Sequence, residues 1–321
     1  MKEGIRKLLL DAGACAVGFS KAGEVDSGEW SRFESWLMQG RHAGMEYMRN
    51  HAAIRRDPRL LLDGAHTVIS IAFNYRGEST PRSPIAAYAL GDDYHDVLRN
   101  LLRQCLEHFP KEAGYRICID SAPILERYWA RKAGIGIIGD NGALIVPGAG
   151  SMVFLAEIIT TLELEPDMEW TRGCGSCGAC RRSCPTGALS FSGDAIDCNR
   201  CLSYLTIEHR GDWTEQVHLD ALTAASSKGR TPLFGCDRCL AVCPHNIGKV
   251  RAATIPGLSP RKEILAITPE DILSMEQSDF SITFRRSPIK RGRFDGLRRN
   301  ALMLTEKNES VTSGFCPDIV S

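Results

Sequence analysis

The chain has 321 residues, with 39 lysines and arginines against 39 aspartates and glutamates and 43% hydrophobic residues. That is about twice the usual size of one domain and of ordinary globular composition, which excludes a small disulfide knot, a long disordered chain and a collagen-like fibre. The unusual feature is cysteine: thirteen residues, nine of them between Cys174 and Cys243.

The N-terminus mixes charges among its apolar residues and has no uninterrupted apolar run before a small-residue cleavage site, so a cytoplasmic location is expected rather than secretion. Apolar spacing predicts a helix over 4–14 with Ile5, Leu8 and Leu9 on one face, then helices over 29–39 and 44–51. A buried strand follows over 67–73, then a long amphipathic helix over 93–109, a strand over 115–119, a helix over 122–133 and strands over 143–146 and 152–157. This alternation predicts an α/β or α+β layered domain over 1–165. The longest uncharged stretch, 141–156, is interrupted by glycines and a proline and is shorter than the ~20 residues of a spanning helix, so no membrane segment is expected. Residues 166–255 gather the cysteines among glycine and proline turns. Residues 256–321 hold a helix over 269–274, a basic helix over 292–304 and a polar tail.

An odd number of cysteines in a reducing compartment favours metal ligation over disulfides. Cys15, Cys105, Cys118 and Cys316 read as structural thiols, but the nine do not. Cys174-Gly-Ser-Cys177-Gly-Ala-Cys180-Arg-Arg-Ser-Cys184-Pro185 is the complete C-x2-C-x2-C-x3-C-P run of two-cluster ferredoxins. Three thiolates wrap one cube while the fourth serves the other, and a zinc site would need neither the third cysteine nor the C-x3-C-P ending. The second run, Cys236-Asp-Arg-Cys239-Leu-Ala-Val-Cys243-Pro244, is one cysteine short. Ligand arithmetic assigns Cys174, Cys177, Cys180 and Cys243 to one [4Fe-4S] cluster, and Cys184, Cys236 and Cys239 to the other. Its fourth ligand is Cys198 or Cys201, between which spacing does not choose.

Gly134-Ile-Gly136-Ile-Ile-Gly139 matches a dinucleotide fingerprint in letters only. A helix is expected before it and a strand after it, the reverse of the strand-to-helix context that fingerprint needs. The glycines instead suit a close approach of backbone, to other backbone or to a bulky ligand.

Nearly the whole chain resembles the epoxyqueuosine reductase family. The resemblance rests on Tyr88-Ala-Leu-Gly-Asp-Asp-Tyr-His95, Asp120-Ser-Ala-Pro-Ile-Leu-Glu-Arg127, Lys132-Ala-Gly-Ile-Gly136, the first cysteine run with Thr186-Gly-Ala188, Arg200-Cys-Leu-Ser-Tyr-Leu-Thr-Ile-Glu208 and Gly235-Cys-Asp-Arg-Cys239. It implies an N-terminal domain that holds a base-off cobalamin, similar to that of reductive dehalogenases, a ferredoxin-like module with two [4Fe-4S] clusters, and a short C-terminal helical remnant of a HEAT-like extension. It also implies Cys201 as the eighth cluster ligand.

The implied reaction reduces epoxyqueuosine to queuosine at the wobble position of tRNA, in its anticodon stem-loop, with electrons from an external low-potential donor. Cobalamin does the bond-breaking, and the protein must supply a proton to the departing oxygen. Asp120 matches the family's catalytic aspartate, and burial against a corrin would raise its pKa for that task; by residue type alone it reads as a helix N-cap. Glu126 and Arg127 of the same motif read equally as helix-surface or ion-pair residues. Asn141 and Ser151 are candidate cobalamin contacts, and Tyr94 and His95 candidate substrate contacts. Asp140 stands where the family usually has a basic residue. The segment 285–299 holds seven basic residues against one acid; Arg285, Arg286, Lys290, Arg291, Arg293, Arg298 and Arg299 are therefore candidate tRNA phosphate contacts. A non-catalytic ferredoxin-type carrier and a cobalamin-dependent reductive dehalogenase are the competing readings. The long N-terminal segment with its Asp120 motif disfavours the first, and the missing export signal and the basic patch disfavour the second.

Overall fold

The computed structural model describes residues 1–76, 83–190, 195–229, 231–247 and 254–312; Cys316 lies outside them. Strands β1 (Ala16–Lys21), β2 (Thr67–Asn74), β3 (Tyr115–Cys118) and β6 (Val153–Thr160) form one sheet in the order β1-β2-β6-β3, every neighbouring pair antiparallel. The layered domain is thus α+β. Between β3 and β6 the chain makes a two-stranded ribbon from β4 (Ile137–Ile138) and β5 (Leu144–Ile145).

β2 is buried along its whole length because helices cover both faces of the sheet. On one face Ile69, Ile71 and Phe73 pack with Phe19 and Ile158 against Leu9 of helix Lys2–Asp11 and Leu98 and Leu102 of helix Tyr94–Leu106. Each such large side chain removed from water contributes about 1.5–3 kcal/mol. The Tyr94–Leu106 helix begins where the Asp93 carboxylate accepts the His95 N–H at 3.0 Å, and its apolar stripe of Leu98, Leu102 and Cys105 faces the sheet. On the other face Val68, Cys118 and Ile159 lie under Tyr128 and Trp129 of helix Glu126–Lys132.

Two differences from the sequence reading matter for the site. β1 was not foreseen, because Gly18 interrupts a short run. That glycine is required: a Cβ there would lie 1.9 Å from the Ala133 carbonyl oxygen, where the end of helix Glu126–Lys132 rests on the strand. That helix starts four residues later than the spacing suggests. Pro123 holds the preceding residue extended, the N-cap is Leu125, and Asp120 therefore caps nothing. Instead the chain turns at Asp120 with φ +50°, a region uncommon for a residue with a side chain.

In the second half the cysteine loops carry short helices Ala179–Ser183 and Arg238–Ala241, which pack on each other. A buried π-helical turn, Tyr204–Glu208, and an unforeseen helix, Gln216–Ser226, support them. Pro269–Ser274 forms as expected, behind a capping box made by Thr268 and Asp271. The last helix runs over Arg293–Thr312, further than expected. Ile272, Phe284 and Leu297 of the C-terminal segment share one apolar cluster with Ile207 and Phe234 of the cysteine-rich segment and Ile85 and Leu90 of the first. The three predicted segments are therefore cored jointly. Among the described residues no helix is long and apolar enough to cross a membrane.

Candidate active site

A cavity of about 410 Å³ opens between the sheet domain and the cysteine loops, a volume suited to a cofactor or drug-sized ligand. The sheet domain lines it with Tyr94, Asp120, Glu126, Asn141, Ser151 and an apolar strip including Leu144, Val153, Phe154 and Leu155. The second half lines it with Cys184, Cys201, Cys236 and Cys239. A smaller cavity is bordered by Cys174, Cys177, Cys180 and Cys243, with Asp140 and His245 at its edge.

All eight thiols are unpaired. Among the described residues no three His, Cys, Asp or Glu side chains are gathered as around a single ion. Each quartet borders a space, and neither has the tight arrangement of a zinc site. Cys198 is turned into the apolar cluster of Leu202, Leu205 and Leu222, while Cys201 faces the large cavity. Burial pushes the Cys236 thiol up to about 11 and the Cys239 thiol higher still. Without a metal these sulfurs stay protonated at neutral pH; a coordinated metal reverses that.

Asp120 is the centre of the polar cluster. Its Oδ2 accepts the Tyr94 hydroxyl at 2.7 Å and lies 3.3 Å from Nε2 of His95, whose Nδ1 is 2.8 Å from Asp93. Its backbone N–H donates to Glu126 Oε1 at 2.6 Å. Tyr94 is clamped between the rings of His95 and Phe154, each with centroids 4.2 Å away. Burial alone would raise the Asp120 carboxyl, but hydrogen bonds from His95 and Tyr94 and the charges of His95 and Arg127 hold it below the ordinary carboxylate value. This corrects the raised pKa expected from the sequence, where the partners of Asp120 were not visible. The protons sit on its neighbours. His95 is desolvated, yet the two carboxylates that flank it hold it up to about 9, and burial with the Asp120 charge pushes Glu126 up to about 8.

Glu126 and Arg127 thus belong to the site, the latter donating to the Gly142 carbonyl at 2.6 Å. Asp93, which orients His95, was missed; the N-cap pattern Asp93-Tyr-His is the signal that finds it. Asn141 and Ser151 border the cavity and also tie it together. Asn141 Nδ2 donates to the Cys239 carbonyl at 3.4 Å, and Ser151 Oγ accepts Asn246 Nδ2 at 2.8 Å. In the glycine-rich segment a Cβ at Gly134 would meet the Met168 carbonyl at 2.4 Å and one at Gly136 the Ile145 carbonyl at 2.5 Å. These glycines accommodate other backbone, and only the 142–144 end of the segment faces the cavity. Asp140 pairs with Arg181 at 3.3 Å, fastening the ribbon to the first cysteine run.

The basic segment divides. Arg285, Arg286, Lys290, Arg293 and Arg298 are exposed, and the Arg286 carbonyl accepts the Asp93 N–H at 2.7 Å, which sets this surface beside the Tyr94–His95 corner. Arg291 makes a bidentate pair with Glu208, both bonds 2.8 Å, and lies 5.6 Å from the Tyr47 ring. Arg299 is turned inward: it lies 4.0 Å over Trp213 and donates to the carbonyls of Leu205, His209 and Gly211.

Residues 173–246 match the family described as a 4Fe-4S double cluster binding domain, so the protein is of the double-cluster iron–sulfur class. Residues 55–121, which include Asp93, Tyr94, His95 and Asp120, match the family described as "Epoxyqueuosine reductase QueG, DUF1730". The chain is 36% identical over 294 residues to the epoxyqueuosine reductase of Cellulophaga algicola, covering 90% of this chain and 92% of that one. It superposes with a TM-score of 0.84 and 28% identity on an epoxyqueuosine reductase crystallised with an epoxyqueuosine-modified tRNA-Tyr stem loop, over 97% of this chain and 82% of that one. The Bacillus subtilis epoxyqueuosine reductase, solved with its aspartate-bearing catalytic loop swung out of the active site, superposes with a TM-score of 0.83 and 28% identity, over 97% and 82%. The chain belongs to the epoxyqueuosine reductase family, and is accordingly an oxidoreductase with a 4Fe-4S binding domain.

Proposed function

We propose that the chain reduces epoxyqueuosine to queuosine in the anticodon stem-loop of tRNA with cobalamin in the large cavity and two [4Fe-4S] clusters beside it. The observation that carries this reading is that one cavity brings together the Asp120 cluster and a cysteine quartet from the other half of the chain. Cys174, Cys177, Cys180 and Cys243 would hold one cluster, and Cys184, Cys201, Cys236 and Cys239 the other. The cavity suits a corrin, which is broad, apolar on its faces and amide-bearing at its edge: the strip from Leu144 to Leu155 offers an apolar surface, and Asn141 and Ser151 offer polar partners.

When bound, the clusters carry single electrons and cobalamin supplies the metal centre at which a carbon–oxygen bond is broken. The chain's own residues handle the protons. Epoxide oxygen leaves readily only if it is protonated as it departs. Asp120, whose side chain is 59% exposed toward the cavity, is the group placed to meet that oxygen, and it passes on the proton held by His95. Tyr94 fixes the carboxylate, and Phe154 and His95 fix Tyr94. The exposed Arg285, Arg286, Lys290, Arg293 and Arg298 would neutralise phosphates around the mouth, as suits a substrate carried on RNA. Arg299 is excluded from that role by its internal bonds.

The test combines iron and corrin content with conversion of epoxyqueuosine in an anticodon stem-loop. A preparation that carries eight irons yet binds no corrin overturns the cobalamin reading. Asp120→Asn should keep clusters and corrin and lose turnover by roughly 10²–10⁴-fold; full activity would remove Asp120 as the proton-donating group.

A further inference from the structure

Glu157 stands at the middle of β6, opposite Ser70 of β2 on one side and Cys118 of β3 on the other, and is fully buried. Neither of its carboxyl oxygens has a hydrogen-bond partner. The Ser70 hydroxyl and the indole N–H of Trp129, also buried on this face of the sheet, are unpartnered as well. Four unsatisfied polar atoms within one packed layer call for ordered water, since an unpaired buried polar group costs about 1–3 kcal/mol.

An ionised carboxylate at this depth would cost several kcal/mol more. The groups that face it offer no relief. Helix Glu126–Lys132 presents another acid, Glu126; β3 presents the Cys118 thiol and, at its exposed outer end, Arg116; β2 presents only a hydroxyl. Burial and the Glu126 charge keep Glu157 well above the ordinary carboxyl value, so it is a neutral acid. Trp129 lies one turn beyond Glu126 on the same helix. That helix therefore places Glu126 at the active-site cavity and Trp129 over the layer containing Glu157.

The chemistry leaves a need that these groups meet. Converting an epoxide to an alkene breaks two carbon–oxygen bonds, forms one carbon–carbon π bond and releases the oxygen as water, so it consumes two electrons and two protons. One proton is on His95 and a second on Glu126, while Asp120 is an anion. Both must be restored in every turnover, while a large substrate covers the mouth. We propose that Glu157 is a buried proton store that recharges Glu126 through ordered water held by Ser70 and Trp129, and so acts through Glu126 without touching the substrate. This rests on the reductive reading of the site above.

In Glu157→Gln the isosteric amide cannot release a proton. In the loaded enzyme, kcat should fall about tenfold, less than the roughly 10²–10⁴-fold expected on removing a general acid outright. KM for the stem-loop and iron and corrin content should be unchanged, and small buffer acids should restore the rate in proportion to their concentration. Glu157→Asp should recover part of the rate unaided. Infrared difference spectra of the unmodified protein in H2O and D2O should show a protonated carboxyl band at neutral pH that is absent from Glu157→Gln. Unchanged kcat in Glu157→Gln, or a loss of rate that buffer acids do not restore, overturns the proposal. So does the absence of that band from the unmodified protein, a result that stands even where the variant fails to fold. Loss of the store leaves the Asp120→Asn result untouched, so the two readings fail separately.

Discussion

Replacing His95 by glutamine removes the cation 3.3 Å from Asp120 Oδ2 and keeps a side chain able to hydrogen-bond. At that separation two unit charges attract by about 5 kcal/mol at an effective dielectric constant of ~20. The Asp120 side chain is 59% exposed, and solvent screening brings this down to about 1–2 kcal/mol, or roughly one pKa unit. Asp120 in His95→Gln should therefore titrate about one unit higher than in the parent, and the proton that His95 keeps up to about 9 is gone. Since imidazolium exists below its pKa, parent activity is held at neutral pH and lost as the pH rises through the 8–9 range set by Glu126 and His95. The variant should lose kcat by roughly 10²-fold and keep only the lower, Glu126-governed part of that alkaline limb. Stability follows the same sign: the raised His95 value contributes fully below about 6.5 and is lost as pH climbs toward 9, a dependence the variant should lack. The pH–rate profile on a stem-loop and the pH dependence of Tm report both. An unmoved alkaline limb with undiminished kcat would refute a proton held on His95.

Cys201→Ala should lower the iron content by up to four atoms per chain, whereas Cys198→Ala, which changes a side chain in an apolar cluster, should keep eight; iron analysis distinguishes them. Arg299→Ala should cost about 2–4 kcal/mol of unfolding free energy by stranding three carbonyls and uncovering Trp213, read by denaturant titration. The triple change Arg285→Ala, Arg286→Ala and Lys290→Ala should leave stability near that of the parent. It should reduce the slope of log affinity for tRNA against log salt by about 2, measured by filter binding; an unchanged slope would remove this surface as the phosphate contact.

The cysteine spacing announced two clusters because cluster ligation imposes a local constraint that survives in the linear chain. The choice between Cys198 and Cys201 did not survive there: the two are three residues apart, and only the packing of Leu202, Leu205 and Leu222 shows which one turns inward. β2 was legible as an unbroken apolar run, while β1 was hidden by Gly18, whose presence answers to a helix end more than a hundred residues away. The protonation of Asp120 was misjudged for the same reason. Its pKa is decided by Tyr94 and His95, which come from another helix, and charge carried by distant segments cannot be read from residue type. Arg299 counted toward a basic patch in the sequence and faces inward in the fold, because a charge run does not show which of its members a neighbouring loop has captured.

The site belongs to neither half of the chain alone, and this bears on how cofactor loading and folding are linked. Ser151 and Asn246 exchange two hydrogen bonds across the boundary, at 2.7 and 2.8 Å, Asn141 reaches the Cys239 carbonyl, and the Ala87 N–H donates to Asp237 at 2.6 Å. These bonds fix the second cysteine quartet relative to β6. The thiols themselves oppose that arrangement when bare, because burial disfavours the thiolate that a metal requires. Metal binding supplies the difference and becomes part of the folding free energy. Loss of iron should therefore loosen the Ser151–Asn246 boundary and, with it, the wall of the cavity that faces Asp120, so that cluster occupancy and corrin affinity rise and fall together.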